Sequence, residues 1–191
     1  MINDYEARHD ITDENFKTAT DATGSSNASA TAATNDEVIS TLNNLIETCR
    51  DGQNGFQEAA EGVKDSSLKS LFYEYSRQRA QFVGELQSLV RELGAEPQTS
   101  GSVAAAVHRG WINIKSAVTG QDDAAILNEC ERGEDVAKNV YQDAVAMNLP
   151  SNVASVIQSQ AQAVQEAHDR VKALRNAANS TGSSSTAGGG Y

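Results

Sequence analysis

AEPQTSGSVAAAVHRGWINIKSAVTGQ, residues 95–121, is the stretch on which the architecture turns. Connections between packed helices usually take about 2–8 residues, so a plain up-and-down bundle has no use for a segment of this length. Nor is the segment featureless. Val103, Val107, Trp111, Ile114 and Val118 recur at spacings of three and four, the period of an amphipathic helix. They predict a short helix within 102–119, docked on a larger body through Trp111. A helix of about 27 residues is ~40 Å long, and one shorter helix with extended ends can travel back along that length.

Periodic runs of the required length flank the segment on both sides. The first opens at a capping box, Thr34-Asn35-Asp36-Glu37, and carries Ile39, Leu42, Ile46, Cys49, Phe56, Ala60 and Val63 on one stripe. The second follows Asp65-Ser66 with Leu68, Phe72, Tyr75, Phe82, Leu86, Leu89 and Leu93, and stops at Gly94, a helix-ending glycine. Asp122-Asp123 suits the N-terminus of a third, which uses Ile126, Leu127, Cys130, Ala137, Val140, Ala144 and Met147. Pro150 closes the next turn, and Ser151 begins a fourth run of Val153, Ile157, Val164, Val171 and Leu174. Helices are therefore expected near 36–63, 67–93, 122–148 and 151–178. About three residues join the members of each pair, so each pair is an antiparallel hairpin. Two antiparallel hairpins joined by a long crossover containing a short extra helix make an all-α, ferritin-like four-helix bundle. Gly52, Gly55, Gly62, Gly84 and Gly133 fall inside these helices, where they point to close approach of a neighbour or to a kink.

The ends read differently. Residues 1–35 form an Ala/Ser/Thr-rich arm with six acids, two bases and few large apolar side chains, which predicts disorder. Residues 179–191, NSTGSSSTAGGGY, read as a flexible Gly/Ser-rich tail, leaving 36–178 as the folding unit. Across all 191 residues, 15 basic side chains stand against 26 acidic ones, a net charge of −11 that disfavours nucleic acid and anionic membrane as partners. No run of about 18 apolar residues marks a membrane span, and no basic-then-apolar leader opens the chain. Two cysteines, Cys49 and Cys130, are too few for a disulfide scaffold and lie on different helices, which predicts free core thiols and a cytoplasmic protein.

Three strings carry a resemblance: Leu45-Ile46-Glu47-Thr48-Cys49-Arg50-Asp51-Gly52, His108-Arg109-Gly110-Trp111-Ile112, and Cys130-Glu131-Arg132-Gly133-Glu134-Asp135. Over about 36–175 the chain resembles a bacterial family of uncharacterised ferritin-like four-helix-bundle proteins, a domain of unknown function. The resemblance implies a ferritin-like fold with a link to metal or stress. It brings no catalytic residue to carry over.

A di-iron bundle takes one Glu from each of two helices and a Glu-x-x-His pair from each of the others. Only three histidines can be tested against that pattern. Gln165 precedes His168 by three residues and Ala105 precedes His108; only His9, in the arm, has Glu6 at that spacing. Counting from the hairpin loops instead puts Gln53, Arg79, Glu134 and His168 at one level, a candidate buried polar layer. A charge facing the core needs a partner, and Glu134 is the nearest, with Glu131 or Glu74 as alternates. Three readings stay open. The Arg79 guanidinium fills the space of a metal pair; or Arg79 reaches out to water; or Glu131, Glu134 and His168 bind a single iron or manganese ion.

Lesser candidates are His108, Arg109 and Trp111 as a binding patch, Tyr73 and Tyr75 beside a metal, and the acidic face of Glu129, Glu131, Glu134 and Asp135. No motif places a hydrolytic triad, a phosphate-binding loop or a Cys-x-x-Cys pair, so no catalytic residue is assigned. Two functions compete: a non-enzymatic bundle acting as a homo-oligomer or through a partner, and a metal-binding bundle with a reduced ligand set.

Overall fold

A computed structural model describes residues 32–98, 111, 113–120 and 122–184, all within the unit Thr31–Tyr191. The expectations for the arm up to residue 31, for residues 99–110 with His108 and Arg109, and for 185–191 lie outside the described residues. Among the described residues every regular element is an α-helix. They are α1 (Asn35–Gly62), α2 (Ser66–Glu92), α3 (Ile114–Gly120), α4 (Asp123–Val145) and α5 (Ser151–Ser184).

Three of the four long helices begin where the sequence supplies a cap. Thr34 Oγ1 accepts the Glu37 N–H at 3.3 Å while Glu37 Oε2 accepts the Thr34 N–H at 2.7 Å, so two otherwise orphaned donors are satisfied reciprocally. That exposed cap holds the Glu37 carboxyl below its usual range. Asp65 accepts from the Ser67 and Leu68 N–H groups at 2.8 and 2.9 Å, and Asp122 from Ala124 at 3.0 Å. Gly94 ends the α2 hairpin arm at φ 81°, a left-handed conformation that suits glycine.

Two helix ends depart from the sequence expectation. α4 stops at Val145 rather than 148, because Ala144 and Met147 carbonyls turn the chain tightly towards Pro150. α5 runs to Ser184 rather than 178: no proline interrupts it, and a single glycine costs a helix only about 1 kcal/mol.

Hydrogen bonds at the two ends of the bundle fix helix directions. Asp123, at the start of α4, accepts from the Lys64 and Asp65 N–H groups just past the end of α1, at 2.9 and 3.1 Å. At the opposite end the Ala33 N–H donates to the Asn148 carbonyl at 3.0 Å, and Asn35 Nδ2 lies 3.5 Å from the Leu93 carbonyl. The C-terminal ends of α2 and α4 therefore share one end of the bundle with the start of α1. α2 and α4 run parallel, and α1 runs against both.

The described parts of the crossover lie along α1. Gln98 is held by Asn43 Oδ1 at 3.0 Å and by Arg50 Nη1 at 3.0 Å; Trp111 packs at Gly55, Val118 at Gly62. Trp111 enters edge-on against Phe56, ring centroids 5.0 Å apart. A methyl built on Gly55 or Gly133 would overlap the indole, and one on Gly62 would overlap Val118. These glycines admit the crossover between α1 and α4, which is why the helices tolerate them.

The core divides into two apolar clusters. The break falls between Cys49 and Phe56 in α1, Phe72 and Phe82 in α2, Cys130 and Ala137 in α4, and Val164 and Val171 in α5. Among the described residues no helix is long and apolar enough to cross a membrane.

Candidate functional site

The break in the core is filled by Arg79 of α2 and Glu134 of α4, whose side chains are 1% and 0% exposed and whose Nη2 and Oε2 lie 2.7 Å apart. Both lie on the inward stripe of their helices, so the fold leaves them no route to water. The guanidinium is further held by Gln78 Oε1 at 2.7 Å and packs 5.5 and 5.9 Å from the Phe82 and Phe56 ring centroids. Burial pushes the Glu134 carboxyl up, and Arg79 pulls it partly back. Arg79 Nε and Glu134 Oε1 have no hydrogen-bond partner.

Gln53 does not join this layer. It is half-buried in a shallow groove between α1 and α2, lined also by Tyr73, Ser76 and Arg77. Gly52 takes the inward position instead, and a Cβ there would sit 3.4 Å from Arg79 Cγ. The arginine stem packs directly over that glycine. Glu74 is exposed, and Glu131 pairs with Arg175 of α5 rather than with Arg79.

His168, on α5, is buried at the same level but turns towards the outer α4–α5 seam. Its Nδ1 lies 2.9 Å from Asp169 Oδ1 and its Nε2 2.9 Å from Asp135 Oδ1. The hydrogen bond from His168 holds the Asp169 carboxyl below its usual range. Lys138 Nζ stands 3.2 Å from Nε2 and 3.3 Å from Asp135 Oδ1. Ligand atoms of Glu131, Asp135 and His168 all lie within 4.8 Å of one another, so the carboxylates meeting the imidazole are Glu131 and Asp135, while Glu134 faces Arg79.

Sequence reasoning took Asp135 for part of a solvated face and passed over Lys138 and Asp169. The signal was present: Glu131 and Asp135 are four apart on one helix face, and a carboxylate follows the histidine directly.

A polar chain crosses the upper cluster. The Tyr141 hydroxyl donates to Gln160 Oε1 at 2.8 Å, so the Cys49 thiol, 3.0 Å away, donates to the phenol oxygen. Gln160 Nε2 then reaches Glu85 Oε2 at 2.7 Å. Burial pushes the Cys49 thiol up to about 11. Cys130 is likewise free, buried and raised, in the other cluster. Tyr75 packs on Phe56 at 5.2 Å, and Tyr73 is exposed.

An interior di-iron centre needs several carboxylates converging from four helices. This level offers one, already engaged by a guanidinium, above a glycine and beside two phenylalanines. The residues do not fit such a centre.

No curated protein matches the chain. Among solved structures, it is similar to a two-domain protein containing DJ-1/ThiJ/PfpI-like and ferritin-like domains from Anabaena variabilis ATCC 29413, with a TM-score of 0.63 at 14% identity. The match covers 78% of this chain and 39% of that one, so this chain spans well under half of its length. At that identity the likeness shows the fold. The family model described as a domain of unknown function (DUF2383) matches residues 37–147, more than half of the chain. With its helices in ferritin-like order, the chain belongs to the DUF2383 family.

Proposed function

We propose that this protein is a non-enzymatic ferritin-like bundle, a stress-associated or structural protein that acts by associating with copies of itself or with a partner. The observation that carries the reading is the Arg79–Glu134 pair, 2.7 Å long and buried where a di-iron relative would gather its ligands. The guanidinium fills the space there and supplies the positive charge. Among the described residues Tyr73 and Val145 are the large apolar side chains left exposed, so association uses polar, acidic surface. Free thiols at Cys49 and Cys130 support a reducing, cytoplasmic setting, and a net charge of −11 disfavours nucleic acid and anionic membrane. Metal analysis of untagged protein from iron-supplemented cells tests the reading. The expected result is a metal content that Glu134→Gln leaves unchanged. Two irons per chain that disappear with Glu134→Gln would refute it.

A second reading is favoured by a separate observation, the convergence of Glu131, Asp135 and His168. In it the bundle binds a cation, iron or manganese, through a reduced carboxylate and histidine set at the α4–α5 seam, leaving the interior pair undisturbed.

A further inference from the structure

The imidazole at the α4–α5 seam is oriented as metal-binding histidines are. Asp169 Oδ1 accepts from His168 Nδ1 at 2.9 Å and is itself held by Gln165 Nε2 at 2.9 Å. A carboxylate on Nδ1 orients the ring as outer carboxylates orient metal-binding histidines, and makes Nε2 the atom an ion would take. Nε2 shares a hydrogen bond of 2.9 Å with Asp135 Oδ1, where an ion would take the place of the shared proton, and the Lys138 ammonium lies within 3.3 Å of both atoms. A cation already sits beside these two ligands. Glu131, the third, is buried and balanced by Arg175. Glu131, Asp135 and Arg175 also line an open cavity of ≈ 670 Å³ beside α3, which gives solvent access.

We infer that Glu131, Asp135 and His168 form a single-ion site for a divalent transition metal, which enters from this cavity and displaces the Lys138 ammonium. The inference rests on the second reading above and specifies its site. One imidazole and two carboxylates suit zinc, manganese or ferrous iron better than calcium or magnesium, which take oxygen alone. Bonds of about 2.1 Å imply a tetrahedral ligand spacing of about 3.4 Å, so His168 Nε2 and Asp135 Oδ1, now 2.9 Å apart, must open, while ligand atoms up to 4.8 Å apart draw in. Asp135 is half-exposed, which leaves its carboxylate room for that adjustment.

Titration of the full chain with Zn²⁺ alone, followed by calorimetry, tests the site, with circular dichroism confirming that each variant is folded. The expected result is one ion per chain, lost in Asp135→Asn. Asp169→Asn should weaken binding by about 10- to 100-fold, the usual effect of losing an orienting carboxylate. Lys138→Ala should tighten it by about tenfold, because a competing charge at contact distance is gone; a merely structural lysine would not do this. One ion per chain that ignores both Asp135→Asn and Lys138→Ala would overturn this site and leave metal binding elsewhere. No uptake by either wild type or Lys138→Ala would overturn the site and the second reading together.

Discussion

Cys49, Tyr141, Gln160 and Glu85 form a hydrogen-bonded chain with one residue from each long helix, and most of it is buried. A buried polar group is costly only when unpaired, so the chain constrains how α1, α2, α4 and α5 meet. Tyr141→Phe strands the Cys49 thiol and Gln160 Oε1, and should lower stability in urea unfolding by about 1–3 kcal/mol. A value near zero would mean that water replaces the phenol. With its thiol at about 11, Cys49 is about one-thousandth thiolate at pH 8. Alkylation of Cys49 and Cys130 should therefore be slow in the native protein and fast after denaturation; rapid native labelling would place a thiol at the surface. Neither Tyr141 nor Gln160 was legible in the sequence, although Tyr141 stands four residues from Ala137 on the same stripe. Helical periodicity scores a polar side chain as outward. Only the partner on another helix makes the inward position tolerable, and that partner is invisible along one strip of sequence.

At the scale of the elements, glycines decide how the crossover docks. Gly55 and Gly133 face the two sides of the Trp111 indole, whereas Gly84 on α2 is exposed with nothing within 4 Å of an added Cβ. The same substitution should thus have opposite signs. Gly133→Ala overpacks the indole and should destabilise by about 1–3 kcal/mol. Gly84→Ala removes backbone entropy from the unfolded chain and should stabilise by about 0.5–1 kcal/mol. Urea midpoints check the signs, and tryptophan fluorescence checks the site, since only Gly133→Ala should shift Trp111 emission. Equal effects at both positions would show that packing on the crossover is loose. The sequence placed Trp111 as the docking residue and located the glycines inside helices. What it lacked was their partner: the spacing suggested contact between long helices, and the contact is with the crossover lying between α1 and α4.

For the whole molecule, chain order carried most of the fold. Caps at Thr34, Asp65 and Asp122 and the long segment after Gly94 led to two hairpins and a lengthwise return, and hydrogen bonds at both ends of the bundle give the same directions. Register also put Arg79, Glu134 and His168 at one level, because positions can be counted from the hairpin loops. It failed for Gln53, one residue from Gly52, since a stripe read at three-and-four spacing does not distinguish adjacent edge positions. The outcome is a core of two apolar clusters with an ion pair between them. Burial of both charges offsets their attraction, so the pair contributes little net stability while intact, yet breaking it orphans a charge. The central claim is that Arg79 takes the place of metal as counter-charge to Glu134. A double-mutant cycle in urea unfolding on Arg79→Ala and Glu134→Gln measures it most directly. Arg79→Ala alone should cost about 3–5 kcal/mol, and Glu134→Gln in that background should recover part of the loss. Strictly additive changes, each below about 0.5 kcal/mol, would mean that the Arg79 charge never left water, and would contradict the account.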